Sequence, residues 1–233
     1  MLLLKSIFSD TLHLFYPHIC TGCGSDLLHE DNLLCLQCIN DLPYTNFASH
    51  KNNPVEKIFW GRIPVAAAHS EFYFAKETIV QELIHQLKYK NNTAIGLYLG
   101  ELMGKSLLAG NRFTDIDYLV PLPLYPDKER KRGYNQAAII CNGMSGIMKV
   151  PVSTGNVVRQ RFTETQTRKH RTERWENVDG SFVVKDPAAF KGKKIMLVDD
   201  VVTTGATLEA CGNALLQVEG VKLYIAALAH AAK

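Results

Sequence analysis

Apolar positions recur along this chain with two periods. Between Glu77 and Lys90, Ile79, Val80, Leu83, Ile84 and Leu87 share one face at helical spacing, which predicts an amphipathic helix. The same reading predicts helices over Thr93 to Leu108, Gly133 to Met148 and Gly205 to Val218. Ile63 to Phe74 reads as extended. Asp117 to Val120 reads as a short strand ending at PLPLYP, where proline favours extended backbone. Lys194 to Val198 and Val221 to Leu228 read as two further strands, whereas Val157 to Asn177 is polar, basic and without a clear period. Strands alternating with helices predict an α/β domain with a largely parallel sheet.

The first residues follow a different pattern. Leu4, Phe8, Leu12 and Phe15 fall at helical spacing, and Lys5, Asp10 and His13 interrupt the apolar run with no small-residue cleavage site behind it. That predicts a short amphipathic helix packed on the protein rather than a signal peptide. No segment has the length and apolarity of a membrane span, so no membrane insertion is expected and the expected place is the cytoplasm. Asp41 to Pro54 turns polar and reads as a connection. The expected division is therefore an N-terminal segment with its connection over 1–54 and an α/β domain over 55–233.

Composition is ordinary for a globular chain of 233 residues, and the formal net charge is only +3. The distribution is more telling. Met1 to Trp60 holds three Lys/Arg against six Asp/Glu, while Lys128 to Arg174 holds eleven against three. Such asymmetry predicts an anion-facing surface in the second half, for phosphates or for nucleic acid.

Of six cysteines, Cys20, Cys23, Cys35 and Cys38 form two C-x2-C knuckles separated by eleven residues. Two such knuckles complete a tetrahedral four-sulfur site suited to structural zinc in a small zinc-ribbon-like module. So short a segment has little core, so metal would supply most of its folding energy. Two disulfides are disfavoured in a reducing compartment, and a redox pair needs only one knuckle. An iron–sulfur centre stays open, since four thiolates would serve it equally. Cys141 and Cys211 lie within predicted helices and read as small buried hydrophobes.

The stretch IMLVDDVVTTGAT, Ile195 to Thr207, sets two acids behind four apolar residues and a threonine-rich turn before a helix. In a parallel sheet, ligands bind at the carboxyl ends of strands. Backbone N–H groups and the hydroxyls of Thr203, Thr204 and Thr207 would ring a phosphate at the helix N-terminus, which Gly205 allows the backbone to approach closely. Asp199 and Asp200 would repel that phosphate unless they serve a neighbouring group with donors. A ribose 5-phosphate fits, its 2′- and 3′-hydroxyls donating to the carboxylates. A surface turn with capping threonines would account for the threonines but not for the paired acids.

This stretch resembles the phosphoribosyl pyrophosphate (PRPP) signature of type I phosphoribosyltransferases over all thirteen positions. The resemblance implies a Rossmann-like fold, PRPP contacts from Val201, Val202, Thr203, Thr204, Gly205, Ala206 and Thr207, and catalytic roles for Asp199 and Asp200. PLPLYPDKERKRGYNQA, FAKETIVQELIHQLKYK, and Arg159, Thr163, Gln166, Arg174 and Asn177 further resemble the ComF family of competence-associated proteins. That family joins a four-cysteine module to a phosphoribosyltransferase domain, and the likeness covers nearly the whole chain. Where the family often has leucine this chain has Lys169, and the family's arginine-glycine-phenylalanine is Arg132, Gly133 and Tyr134 here. Neither departure removes a ligand.

On this resemblance, Lys128, Arg130, Lys131 and Arg132 would bind pyrophosphate with Mg²⁺ sharing its charge, although such a cluster alone is commonly a solvated basic loop. The stretch holding Arg159, Arg161, Thr163, Gln166 and Arg174 resembles the hood that closes over the site, and a disordered loop of that polarity is the alternative. Two functions stay open. One is displacement of pyrophosphate from PRPP by an acceptor that the sequence does not reveal; ammonia is suggested by likeness to amidophosphoribosyltransferases, yet the metal module is too short to be a glutaminase. The other, implied by the ComF likeness, is a PRPP-fold protein that binds single-stranded DNA during uptake, the basic stretch and the zinc ribbon holding phosphates and Tyr134, Phe162 or Trp175 stacking on bases. The two are compatible. The oligomeric state is left open, a homodimer included.

Overall fold

Six strands carry the described part of the molecule: β1 (Ala67–Phe74), β2 (Tyr118–Pro121), β3 (Val157–Arg159), β4 (Phe182–Val184), β5 (Lys194–Val202) and β6 (Lys222–Ala231). This computed structural model describes residues 19–26, 32–160 and 181–231. The helix expected over Leu4 to Phe15 lies outside them, as do hood candidates Arg161, Thr163, Gln166 and Arg174 and the aromatic residues Phe162 and Trp175.

β1, β6, β5 and β2 pair in that order, all parallel. Parallel neighbours need crossovers long enough to hold helices, and the helices cover both faces. Ile79–Tyr89, Thr93–Ala109 and Gln136–Met148 lie on one face, with Leu83, Leu87, Ile95, Leu99, Ile140 and Met144 in a single core. Ala206–Leu216 and Pro54–Phe59 lie on the other, with Phe59, Leu208 and Leu215. The last two helices of the first face approach at backbone distance. A Cβ on Gly143 would stand 2.1 Å from the carbonyl oxygen of Leu97, and one on Gly100 2.3 Å from that of Ile140. Only glycine fits at such a crossing.

Helices and strands fall close to the positions their periodicity predicts, with four differences. First, β5 does not end at Val198. It runs to Val202 and includes both aspartates, because β6 continues the ladder beside it to the pair Val202 and His230. Sheet pairing outweighs the low strand propensity of aspartate. Second, the basic cluster is a helix, Pro126–Arg132, with proline in its first turn and Gly133 closing it at φ 83°. Proline costs nothing at that first position, where no N–H is needed. Third, part of the aperiodic stretch is strand: β3 pairs antiparallel with β4. Fourth, the connection from Asp41 to Pro54 is woven into the fold. The N–H of Thr45 donates to the carbonyl of Glu71 and that of Tyr73 to Pro43, both at 2.9 Å, which covers the edge of β1. Asn53 then caps the helix Pro54–Phe59 through Val55 and Glu56.

The cysteine segment shares the first core. Cys20, Leu34, Cys38 and Leu42 are buried in one cluster with Val80, Leu83 and Ile84. Among the described residues no helix is long and apolar enough to cross a membrane.

Candidate functional site

The site forms where β2 stops early. On one side, β5 pairs with β2 only as far as Val198, opposite Pro121. The prolines that follow divert the chain, so the last turn of β5 has a neighbour only in β6 on the described sheet. Asp199 and Asp200 sit at that step. They point to opposite faces, as successive strand residues must. Asp200 accepts from Lys88 Nζ at 2.8 Å, with only 14% of its side chain exposed. Asp199 accepts from the N–H of Asp200 at 2.8 Å and lies within reach of the charge of Arg159.

Burial and the adjacent Asp200 carboxylate push the Asp199 carboxyl up to about 8, against the opposing pull of the Asp200 N–H, Lys88 and Arg159. A raised Asp199 carboxyl lessens the negative charge at this step. That relieves the repulsion two carboxylates would exert on a phosphate alongside. It also sets the two acids apart: Asp200 accepts from Lys88, whereas Asp199 keeps its proton more readily than an ordinary carboxyl.

Behind them comes the turn. Thr203 and Thr204 are exposed, and Gly205 takes a left-handed conformation at φ 73° before the helix Ala206–Leu216. Glycine is needed here for packing as well: a Cβ would meet Ile58 at 2.7 Å and Phe59 at 2.9 Å. The carbonyl of Thr204 accepts from Arg62 Nη1 at 2.7 Å, and the same guanidinium pairs with Glu209 in the first turn of the helix. The turn is thus held from its outer side, and at the helix N-terminus the Thr204 hydroxyl accepts from the Ala206 N–H at 3.4 Å.

A cleft of about 500 Å³ opens beside Asp200, lined by Lys88, Tyr89, Asn91, Lys128, Lys131 and Arg132. Arg132 donates to Gln136 Oε1 at 2.7 Å and lies 5.6 Å over the Tyr89 ring. Tyr134, just past Gly133, donates its hydroxyl to the carbonyl of Leu87. The basic helix and the end of Ile79–Tyr89 are therefore fastened together at two points. Arg130 stands apart: it does not line the cleft, is 79% exposed and pairs with Asp127 at 3.6 Å. Arg159, at the end of β3, stacks 3.8 Å over Tyr125 and 5.1 Å from Phe182, its Nε buried without a hydrogen-bond partner.

The four cysteines converge. Their sulfurs all lie within 4.8 Å of one another, with Cys23 and Cys35 at 3.7 Å. Four sulfurs at about 2.3 Å from a tetrahedral zinc lie about 3.8 Å apart, so the spacing fits an ion and not a disulfide. The amide of Cys35 donates to Cys20 Sγ at 3.2 Å, and that of Cys38 points to Cys35 Sγ at 3.5 Å. Burial pushes the Cys20 thiol up, yet the amides of Cys23, Cys35 and Gly22 more than offset it and bring it down to about 6. Burial and its three thiol neighbours push Cys38 up instead. Crowded thiols in which one readily ionises and another resists are the donor set that a divalent cation such as zinc relieves. Cys141 and Cys211 are fully buried, and burial raises both thiols.

Lys88, Arg62 and Tyr134 carry contacts in this site that periodicity and spacing do not reveal. Lys88 lay in a helix read for its apolar face, and Arg62 between elements.

Comparison with known proteins agrees with this architecture. The phosphoribosyl transferase domain model matches residues 131–233. The DNA utilization protein YhgH of Escherichia coli (strain K12) is 30% identical over 207 residues, 85% of this chain and 84% of that protein. Competence protein F of Haemophilus influenzae is 25% identical over 225 residues, 94% of this chain and 93% of that protein. Competence protein ComFC of Bacillus subtilis is 35% identical over 99 residues, 42% of this chain and 38% of that protein.

Proposed function

This chain belongs to the ComF family, within the phosphoribosyltransferase superfamily, and we propose that it binds PRPP at the end of β5 and displaces its pyrophosphate. One observation carries the reading: Lys88, which pairs with Asp200, also lines the basic cleft, so the acid pair adjoins a pocket for a second anion. A ligand with a phosphate at one end, a diol in the middle and a pyrophosphate at the other matches that sequence of groups. The threonine turn would take the 5′-phosphate. Asp200 would accept from a ribose hydroxyl, with Asp199 beside it. Lys128, Lys131 and Arg132 would take the pyrophosphate, and Mg²⁺ would share its charge. Positioning and charge stabilisation are what this displacement needs, since the developing ribosyl cation requires no nucleophilic side chain. The four cysteines would hold structural zinc. The division at residue 54 is proposed on chemistry, metal before it and PRPP after it, because the packing runs across it. A cytoplasmic place is part of the same proposal.

The test is pyrophosphate release on mixing the protein with PRPP, Mg²⁺ and ammonia or another candidate acceptor. Release that Asp200→Ala abolishes supports an enzyme. Binding of PRPP without release would leave a PRPP-binding protein.

Relatives named for DNA utilization and for competence favour a second reading, in which single-stranded DNA is bound. The exposed Lys128, Arg130 and Lys131 on one short helix suit a phosphate backbone. Tyr134 is engaged with Leu87 and is a poor stacking platform as it stands.

A further inference from the structure

Lys88 belongs to two sites at once. Its ammonium is 2.8 Å from Asp200 Oδ1 and its side chain is 20% exposed; the residue stands in the last turn of Ile79–Tyr89 and lines the basic cleft. We propose that Lys88 is the specificity-determining residue of this site: it couples the ribose end to the pyrophosphate end, so that a sugar phosphate bearing an anomeric pyrophosphate is favoured over ribose 5-phosphate. The inference rests on the PRPP reading given above.

Without ligand, Lys88 occupies the carboxylate that a ribose hydroxyl would use. Both partners are mostly buried, so the pair cannot be broken cheaply. A diol donating to Asp200 competes with Lys88 and releases its ammonium toward Lys128, Lys131 and Arg132. If the ligand ends at a ribose hydroxyl, a half-buried cation is left facing other cations, and binding is penalised. If the ligand carries pyrophosphate, the released ammonium gains a new partner and the penalty vanishes. A lysine suits this exchange, having a compact charge with three donors on a flexible four-carbon stem.

The helix itself need not move. Its end is pinned to the basic segment by the hydroxyl of Tyr134 on the Leu87 carbonyl, and by Arg132 over Tyr89. Only the Lys88 side chain changes partner. Arg132 is already committed to Gln136 at 2.7 Å, and it touches no carboxylate of the acid pair, so it cannot make the same exchange.

Titration calorimetry with PRPP, ribose 5-phosphate and pyrophosphate, each with Mg²⁺, tests this on the full chain. The wild type should bind PRPP tighter than ribose 5-phosphate. Lys88→Met should lose about tenfold or more in affinity for PRPP and pyrophosphate, the loss of a charged hydrogen bond. Its affinity for ribose 5-phosphate should hold or rise, so the preference collapses. Lys88→Arg should recover part of the preference, and Lys88→Gln serves if the methionine variant fails to fold. Equal losses for PRPP and ribose 5-phosphate would mean that Lys88 merely holds Asp200 in place, and would overturn the coupling. Unchanged affinities for all three ligands would overturn it too. A wild type that binds none of them defeats the PRPP reading itself, before any variant is made.

Discussion

Arg62 Nη1 donates to the carbonyl oxygen of Thr204 at 2.7 Å, although 142 positions separate the two along the chain. The same nitrogen reaches the carbonyl of Ile58 at 3.1 Å, and the other guanidinium nitrogen pairs with Glu209. One side chain thus ties the end of Pro54–Phe59 to the threonine turn and to the helix behind it. The conformation of that turn is set from outside as well as by its own residues.

Arg62→Ala should therefore loosen the turn without opening the core. Arg62 is 33% exposed, so its contacts are worth only about 1 kcal/mol after solvent screening. Ribose 5-phosphate affinity should fall about fivefold, with a melting temperature within a few degrees of wild type. Calorimetry beside a thermal melt measures both. A large drop in melting temperature with affinity preserved would make Arg62 structural only.

Arg130 and Arg132 should separate. Arg132→Ala removes a cleft residue and should weaken PRPP by about tenfold, whereas Arg130→Ala should leave PRPP binding alone. If the exposed face serves single-stranded DNA, Arg130→Ala should flatten the salt dependence of that binding by roughly 0.7 in log–log slope. Filter binding across a salt series reads the slope. PRPP loss in the Arg130 variant would place pyrophosphate on the outer face instead.

Asp199 should make the fold less stable as pH rises. Its folded pKa, about 8, is raised, the opposite of the usual salt-bridged carboxylate. The folded state then holds a proton that the unfolded chain releases near pH 4, and stability is fully present below that value. It declines from about pH 4 to 8, with a slope of at most about 1.4 kcal/mol per pH unit, and levels off above. Urea unfolding of wild type and Asp199→Asn at pH 5, 7 and 9 isolates this residue from others such as His230, whose pKa burial lowers. Parallel curves for the two proteins would show Asp199 to be ionised throughout.

Metal removal should reach beyond the cysteines. Purified protein should carry one zinc per chain, and Cys35→Ser or chelation should abolish it. Because Cys20, Cys38, Leu34 and Leu42 share a core with Val80, Leu83 and Ile84, metal loss should lower the melting temperature of the main domain by about 5 °C or more in a single transition. Differential scanning calorimetry decides this. Two transitions, with the upper one unmoved, would show an independent module.

Much of this protein is written locally. The apolar stripe of Ile79, Val80, Leu83, Ile84 and Leu87 is a property of one helix, and it predicts Ile79–Tyr89 within two residues at either end. The four cysteines need only two short turns to converge, so their spacing alone marks a four-sulfur site. IMLVDDVVTTGAT carries strand, turn and helix start in thirteen consecutive residues, and the acids and threonines are legible there for the same reason. What the chain could not disclose by itself is everything whose cause lies in a distant partner. β5 includes Asp199 and Asp200 because β6 lies beside it. The Asp199 carboxyl is raised because folding shields it from water in part and sets Asp200 beside it. Lys88 faces Asp200 across 112 positions, and Arg62 reaches Thr204 across 142. Periodicity and spacing report which face of an element is buried. Which charge meets which across that burial depends on how the elements pack, and only the tertiary structure decides it.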